Sequence, residues 1–126
     1  SMSLEENPLA LVIEDDPEQQ NIFTKAIEMA GFSVEAIGNG KQAIARLDEV
    51  SPKLIVLDLH LPGVSGDEIL HHIRADERLA SARVMLATAD PLRADTLRDQ
   101  SDLVLLKPVS FIQLRDLAIR LRSGIQ

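Results

Sequence analysis

Leu9-Ala-Leu-Val-Ile13 running directly into Glu14-Asp15-Asp16-Pro17, and Leu54-Ile-Val-Leu57 running into Asp58, are the stretches that decide the fold. Two more runs share their form: Val84-Met-Leu-Ala87 closes on Thr88, and Leu103-Val-Leu-Leu106 on Lys107. Short apolar runs bounded by turn residues read as buried parallel strands. In an open α/β sheet, ligands bind just outside the carboxyl ends of the strands. The residues closing the runs should therefore converge on one site holding a carboxylate cluster, a lone Asp, a hydroxyl and an ammonium. Such a set suits a divalent cation and a phosphoryl group.

Between the runs the spacing of apolar residues turns helical, and the helix starts are marked. Asp16-Pro17 is a cap followed by proline at the first helical position, with Gln19 at the third. Asn39 with Gln42, Ser65 with Glu68, and Ser110 with Gln113 fit the capping box or its close relative. Asp90-Pro91 repeats the cap-then-proline signal, and Gly31 stands where the first helix should stop. Ser33-Val-Glu-Ala-Ile37 supplies the remaining strand and alternates as a half-exposed edge would, whereas the first and third strands are apolar throughout, as central strands are. Right-handed crossovers then predict a (βα)5 chain, an α/β doubly wound five-stranded parallel sheet in the order 2-1-3-4-5. Leu114, Leu117, Ala118 and Leu121 should form the buried stripe of the last helix.

The bulk numbers agree and exclude several functions. A chain of 126 residues with 45% hydrophobic content makes one globular domain. A net charge of −7 argues against non-specific binding to nucleic acid or an anionic membrane. No apolar stretch approaches a membrane span. The absence of cysteine excludes disulfides and thiol chemistry and fits a cytoplasmic protein. Ser1-Met2-Ser3 reads as an expression remnant, so residues 1–8 are taken as a leader and 9–123 as the domain, any output domain lying outside this chain.

The residues of the site each have a plainer reading. Like charges about 4 Å apart repel by roughly 4 kcal/mol at an effective dielectric near 20. Three gathered carboxylates therefore call for a cation or raised pKa values. Helix capping explains Asp16 but leaves Glu14 and Asp15 unexplained, since one cap needs one acid. Asp58 alone could be a turn residue before Pro62-Gly63; beside the other groups it is the candidate nucleophile, a carboxylate able to attack phosphorus. Lys107 is the only lysine after Lys53 in an arginine-rich stretch. A compact ammonium there acts as a point charge on a phosphoryl oxygen. Thr88 could simply finish a strand, being β-branched. His71 and His72 are about 100° apart on a helix, so they cannot chelate one metal together.

With Glu14-Asp15-Asp16, Asp58-Leu-His-Leu-Pro62 with Gly66 beyond it, Thr88-Ala89 and Lys107-Pro108 in order along the chain, the sequence resembles a response-regulator receiver domain from Leu9 to Arg122. The resemblance implies a flavodoxin-like fold and a phosphoacceptor at Asp58. The donor would be a sensor histidine kinase or a histidine phosphotransfer protein, and the acyl phosphate would hydrolyse by self-catalysis. It further implies Mg2+ held by Asp15, Asp58 and the His60 backbone carbonyl, with Glu14 acting through water. Thr88 and Lys107 would contact the phosphoryl group, and the Lys107-Pro108 bond would be cis. The side chains of His60 and Asp90, two residues past Asp58 and Thr88, would tune the lifetime of the phosphate.

Two departures fall on the usual signalling face. Val104 stands where the family commonly has an aromatic, and the chain contains no Tyr. The Thr88–Lys107 stretch is short and shows Gln100-Ser101 in place of a Gly-Ala pair. A helix from Pro91 to about Asp99, offering only Leu92, Ala94 and Leu97 to the core, is expected to be the shortest or most mobile element. Three other functions compete. A haloacid-dehalogenase-like phosphatase would place its nucleophile on the first strand as Asp-x-Asp, where this chain has Glu14-Asp15-Asp16. An FMN carrier would need a Ser/Thr-rich phosphate loop at the same place. A phosphate-independent interaction module would not need the full set Glu14, Asp15, Asp58, Thr88 and Lys107.

Overall fold

A computed structural model describes residues 7–125; the reading of Ser1-Met2-Ser3 as a remnant lies outside them. Five strands alternate with five helices: β1 (Leu9–Ile13), α1 (Pro17–Met29), β2 (Ser33–Ile37), α2 (Gly40–Leu47), β3 (Leu54–Asp58), α3 (Gly66–Ala75), β4 (Arg83–Thr88), α4 (Pro91–Leu97), β5 (Leu103–Leu106) and α5 (Phe111–Ser123). Short 3-10 turns at Glu77–Leu79 and Arg98–Gln100 follow α3 and α4. All strand pairs are parallel and the order is 2-1-3-4-5, as the sequence predicts.

Alternation along each strand sorts the core into two layers. Ala10, Val12, Leu54, Val56, Met85, Ala87 and Leu105 pack under α1 and α5 with Phe23, Ile27, Leu114 and Ala118. Leu11, Ile13, Ile55, Leu57, Val84 and Leu86 face Leu47, Ile69, Leu70 and Ile73 of α2 and α3, and Leu97 of α4. Truncating any of these buried leucines to alanine should cost about 2–5 kcal/mol.

Every predicted cap is formed. Asp16, Asn39, Ser65 and Ser110 accept from the backbone N–H groups of Gln19, Gln42, Glu68 and Gln113. Asp90 accepts from Leu92 N–H at 2.9 Å. Gly31 takes φ +99° just past α1, a conformation that favours glycine.

Two expectations need correction. The β5 run reads as buried, yet Leu106 is 51% exposed. β5 is an edge strand, and the seven-residue α4 is too short to cover it. The helix from Pro91 is the shortest α-helix described, but it ends at Leu97 and buries only Ala94 and Leu97. Leu92 is 77% exposed, because two residues of helix turn it about 200° away from Ala94.

At its opposite end the short α4–β5 connection is held by a clamp that the sequence reading missed. Asp102 accepts from Val84 N–H at 2.7 Å, and its carboxylate pairs with Arg74 at 3.3 Å and Arg83 at 3.2 Å. Arg74 also donates to the carbonyls of Gln100 and Ala82. The Asp102 carboxylate thus accepts a hydrogen bond from Val84 N–H as a strand carbonyl would.

Candidate functional site

The strand ends carry their functional residues to one edge because the ladder continues through them. Glu14 N–H donates to Ile37 O at 3.0 Å, Leu59 N–H to Ala87 O at 3.0 Å, and Lys107 N–H to Thr88 O at 2.8 Å. These bonds set Glu14, Asp58, Thr88 and Lys107 side by side. Each of Glu14, Asp15 and Asp58 offers a carboxylate oxygen, and the three oxygens lie within 4.8 Å of one another. Glu14 and Asp58 are buried, Asp15 is exposed.

Among the described residues one cation answers this charge. Lys107 Nζ lies 3.1 Å from Asp58 Oδ1 and 3.6 Å from Glu14 Oε1. The same Asp58 oxygen accepts from the His60 backbone N–H at 3.0 Å, so neither contact falls on Oδ2. Glu14 Oε2 accepts from Asp16 N–H at 3.1 Å, while Oε1 is buried without a hydrogen bond. Burial pushes the Glu14 pKa up to about 7, opposed by the Asp16 N–H, reinforced by the neighbouring Asp58 and opposed again by Lys107.

An incompletely neutralised acid trio with a buried, unbonded carboxylate oxygen fits a hard divalent cation with water in its shell. The residues able to hold it are Asp15 and Asp58, with Glu14 in reach. Beside them Thr88 is buried, and its Oγ1 accepts from Asp90 N–H at 3.1 Å. The Lys107-Pro108 bond is cis, as the resemblance implies.

The other predicted residues separate. His60 and Asp90 are both exposed on the rim, and the Asp90 carboxylate is engaged as the α4 cap. His71 is exposed, while His72 reaches Asp48 at 3.0 Å, far along α3 from the acids. Val104 is half-buried against the α2–α3 layer, paired with Leu86.

Two contacts at the site carried no signal in the sequence. Gln20 Nε2 donates to the Glu14 carbonyl at 2.9 Å. Arg93 of α4 pairs with Asp67 of α3, joining the helices that follow Thr88 and Asp58. The second depends on which helix faces which, and the first on a side chain reaching back to a carbonyl just past β1; no spacing rule encodes either.

The response regulator receiver domain family model matches residues 10–119. The chain belongs to this family. The receiver domain is 34% identical over 115 residues to the transcriptional regulatory protein TrcR of Mycobacterium tuberculosis, covering 90% of this chain and 43% of that protein. It spans half or less of the length of the curated relatives it matches. Among solved structures it superposes on the receiver domain of a signal transduction histidine kinase from Syntrophus aciditrophicus with TM-score 0.83 and 26% identity, covering 94% of this chain and 92% of that one. A sensor histidine kinase receiver domain from Pseudomonas aeruginosa, which has a magnesium ion coordinated in its active-site cleft, gives TM-score 0.81 at 24% identity over 93% of this chain and 98% of that one. Receiver domains are signalling modules rather than classical enzymes and pair with histidine kinases or phosphotransfer proteins. No helix among the described residues is long and apolar enough to cross a membrane.

Proposed function

We propose that residues 9–123 form a phosphoacceptor switch that takes a phosphoryl group onto Asp58. The donor is the phosphohistidine of a sensor histidine kinase or a phosphotransfer protein. An Asp58 carboxylate oxygen attacks phosphorus in line, an O–P bond forms, the P–N bond breaks and its electron pair leaves with the imidazole. Hydrolysis later returns the carboxylate as water adds to phosphorus and the acyl oxygen leaves.

The observation that carries this reading is the Lys107 ammonium 3.1 Å from Asp58 Oδ1 beside two further carboxylates. Lys107 would offset charge on the transferred group, and Thr88 would donate its hydroxyl to it. Asp15 and Asp58 would hold Mg2+, with the His60 carbonyl as a further ligand and Glu14 acting through water. Bound there, the metal would neutralise phosphoryl oxygens during transfer. The magnesium in the cleft of the same-fold neighbour from Pseudomonas supports that choice of ion. His60 and Asp90, on the rim, would set how readily water reaches the acyl phosphate.

One curated relative is a transcriptional regulatory protein, so an output domain outside this chain and a cytoplasmic place of work belong to the same reading. Intact-mass spectrometry after incubation with acetyl phosphate tests it. One phosphoryl adduct that requires both Mg2+ and Asp58 is expected, and it should be absent in Asp58→Asn. A folded, Mg2+-supplied protein that gains no adduct would overturn the proposal.

A further inference from the structure

Glu14 and Asp15 are consecutive, and along an extended strand consecutive side chains leave opposite faces. Both nevertheless bring a carboxylate oxygen to Asp58, within a cluster 4.8 Å across. The chain must turn between them, and α1 holds that turn through one residue. Gln20 Nε2 donates to the carbonyl oxygen of Glu14 at 2.9 Å. The backbone N–H of the same Gln20 donates to the carbonyl oxygen of Asp16 at 2.8 Å. The two bonds straddle Asp15, the exposed member of the trio.

The rest of the turn is fixed from other directions. Glu14 N–H is bound to Ile37 O at 3.0 Å, and Glu14 Oε2 accepts from Asp16 N–H at 3.1 Å. β1 ends at Ile13, so the Glu14 carbonyl lies past the strand, where a side-chain amide can serve as the donor. Without Gln20 the peptide joining Glu14 to Asp15 would lose that restraint. Rotation of this peptide changes the spacing of the two carboxylates.

We infer that Gln20 is a positioning residue for the divalent cation: it touches no ligating carboxylate, but sets the distance between the acids that would hold one. This rests on the metal reading of the acid trio given above. Mg2+ demands near-ideal octahedral geometry, whereas Ca2+ accepts a loose and variable shell. A residue that fixes ligand spacing should therefore matter more for Mg2+ than for Ca2+. Outer-sphere partners of metal ligands typically change affinity by about 10–100-fold.

The test is calorimetric titration of Mg2+ and Ca2+ into wild type, Gln20→Met and Gln20→Asn, with melting of each metal-free protein in EDTA. Met keeps the length and helix preference of Gln without the donor. Asn keeps the amide but is one methylene too short to reach. Both variants should raise the Mg2+ Kd about tenfold, raise the Ca2+ Kd less, and lower the metal-free Tm by no more than the few degrees that one lost hydrogen bond accounts for. Equal Mg2+ affinity in wild type and both variants would overturn the inference. Parallel weakening of both metals would also overturn it, since general loosening of α1 does not choose between cations. Wild type binding neither metal would overturn the metal reading itself, an outcome distinct from the first two.

Discussion

Lys107 Nζ stands 3.1 Å from Asp58 Oδ1, the oxygen that also accepts from His60 N–H. The ammonium therefore has two tasks that a substitution can separate. It neutralises buried carboxylates before any reaction, and it would meet the charge of a phosphoryl group carried on Asp58. A divalent cation competes with it for the same charge. Lys107→Met should consequently tighten Mg2+ binding by about 1 kcal/mol, severalfold in Kd, while slowing phosphorylation by acetyl phosphate by at least about tenfold. Lys107→Arg should not restore the rate, because a planar guanidinium does not reproduce a point charge at this distance. Titration calorimetry and timed intact-mass measurements would show the two effects moving in opposite directions; a loss of both would contradict this division.

Glu14 gives the stability a pH dependence of defined sign. Its folded pKa is about 7, above the ordinary 4.5, mainly because burial disfavours the charged form. Between these values the folded state binds more protons than the unfolded state, so stability falls as pH rises. The shift corresponds to a loss on the order of 3 kcal/mol across the window. Metal-free wild type should therefore lose stability relative to Glu14→Gln from about pH 4.5 to 7 and remain offset above it. Mg2+ should narrow the gap most at the alkaline end. Urea melts of both proteins at several pH values, with and without Mg2+, would reveal a flat difference if the carboxylate were already ionised at low pH.

Thr88 is linked to α4 by a short series of contacts. Its Oγ1 accepts from Asp90 N–H at 3.1 Å, Asp90 caps α4 through Leu92 N–H, and Arg93 pairs with Asp67 of α3. Moving the Thr88 hydroxyl toward a phosphoryl group on Asp58 breaks the first contact and loosens the cap. Capping bonds are worth about 1 kcal/mol, enough to change local opening severalfold. Phosphorylation or beryllofluoride should accelerate amide exchange at Asp90 and through α4, and Thr88→Ala should do so without either. Asp67→Asn should add to the effect, and the swap Asp67→Arg with Arg93→Asp should reverse that addition. Unchanged α4 exchange on phosphorylation would remove α4 from the signalling route.

What the sequence disclosed follows from where the physics is local. Caps such as Asp16, Asn39, Ser65 and Ser110 act within three residues, and each formed. The site residues were legible because a parallel sheet delivers strand ends to one edge by construction. The reading failed where exposure depends on a neighbour's length. Leu106 looked like core until a seven-residue α4 left it uncovered, and Leu92 looked like core until its helical phase was known. Asp102 with Arg74, Arg93 with Asp67, and Gln20 with Glu14 pair across 28, 26 and 6 residues, and no spacing rule connects them.

Gly66 ties the fold to Asp58 more directly than any other glycine. A Cβ there would meet Leu59 Cα at 2.5 Å and Asp58 O at 3.0 Å, both on the main chain that carries the Asp58 carboxylate. Neither neighbour is the flexible end of a side chain, so the β3–α3 connection must move to admit a methyl group. Gly66→Ala should destabilise by roughly 1–3 kcal/mol and displace the His60 amide from Asp58 Oδ1. Gly63→Ala makes a useful contrast: its φ of +77° is strained for alanine, but open space surrounds it. Its cost should be a similar 1–2 kcal/mol of backbone strain, with Mg2+ affinity unchanged. Urea denaturation paired with Mg2+ titration separates the two. Equal metal affinity in both variants would mean that the backbone at Asp58 tolerates the shift that the close approach at Gly66 demands.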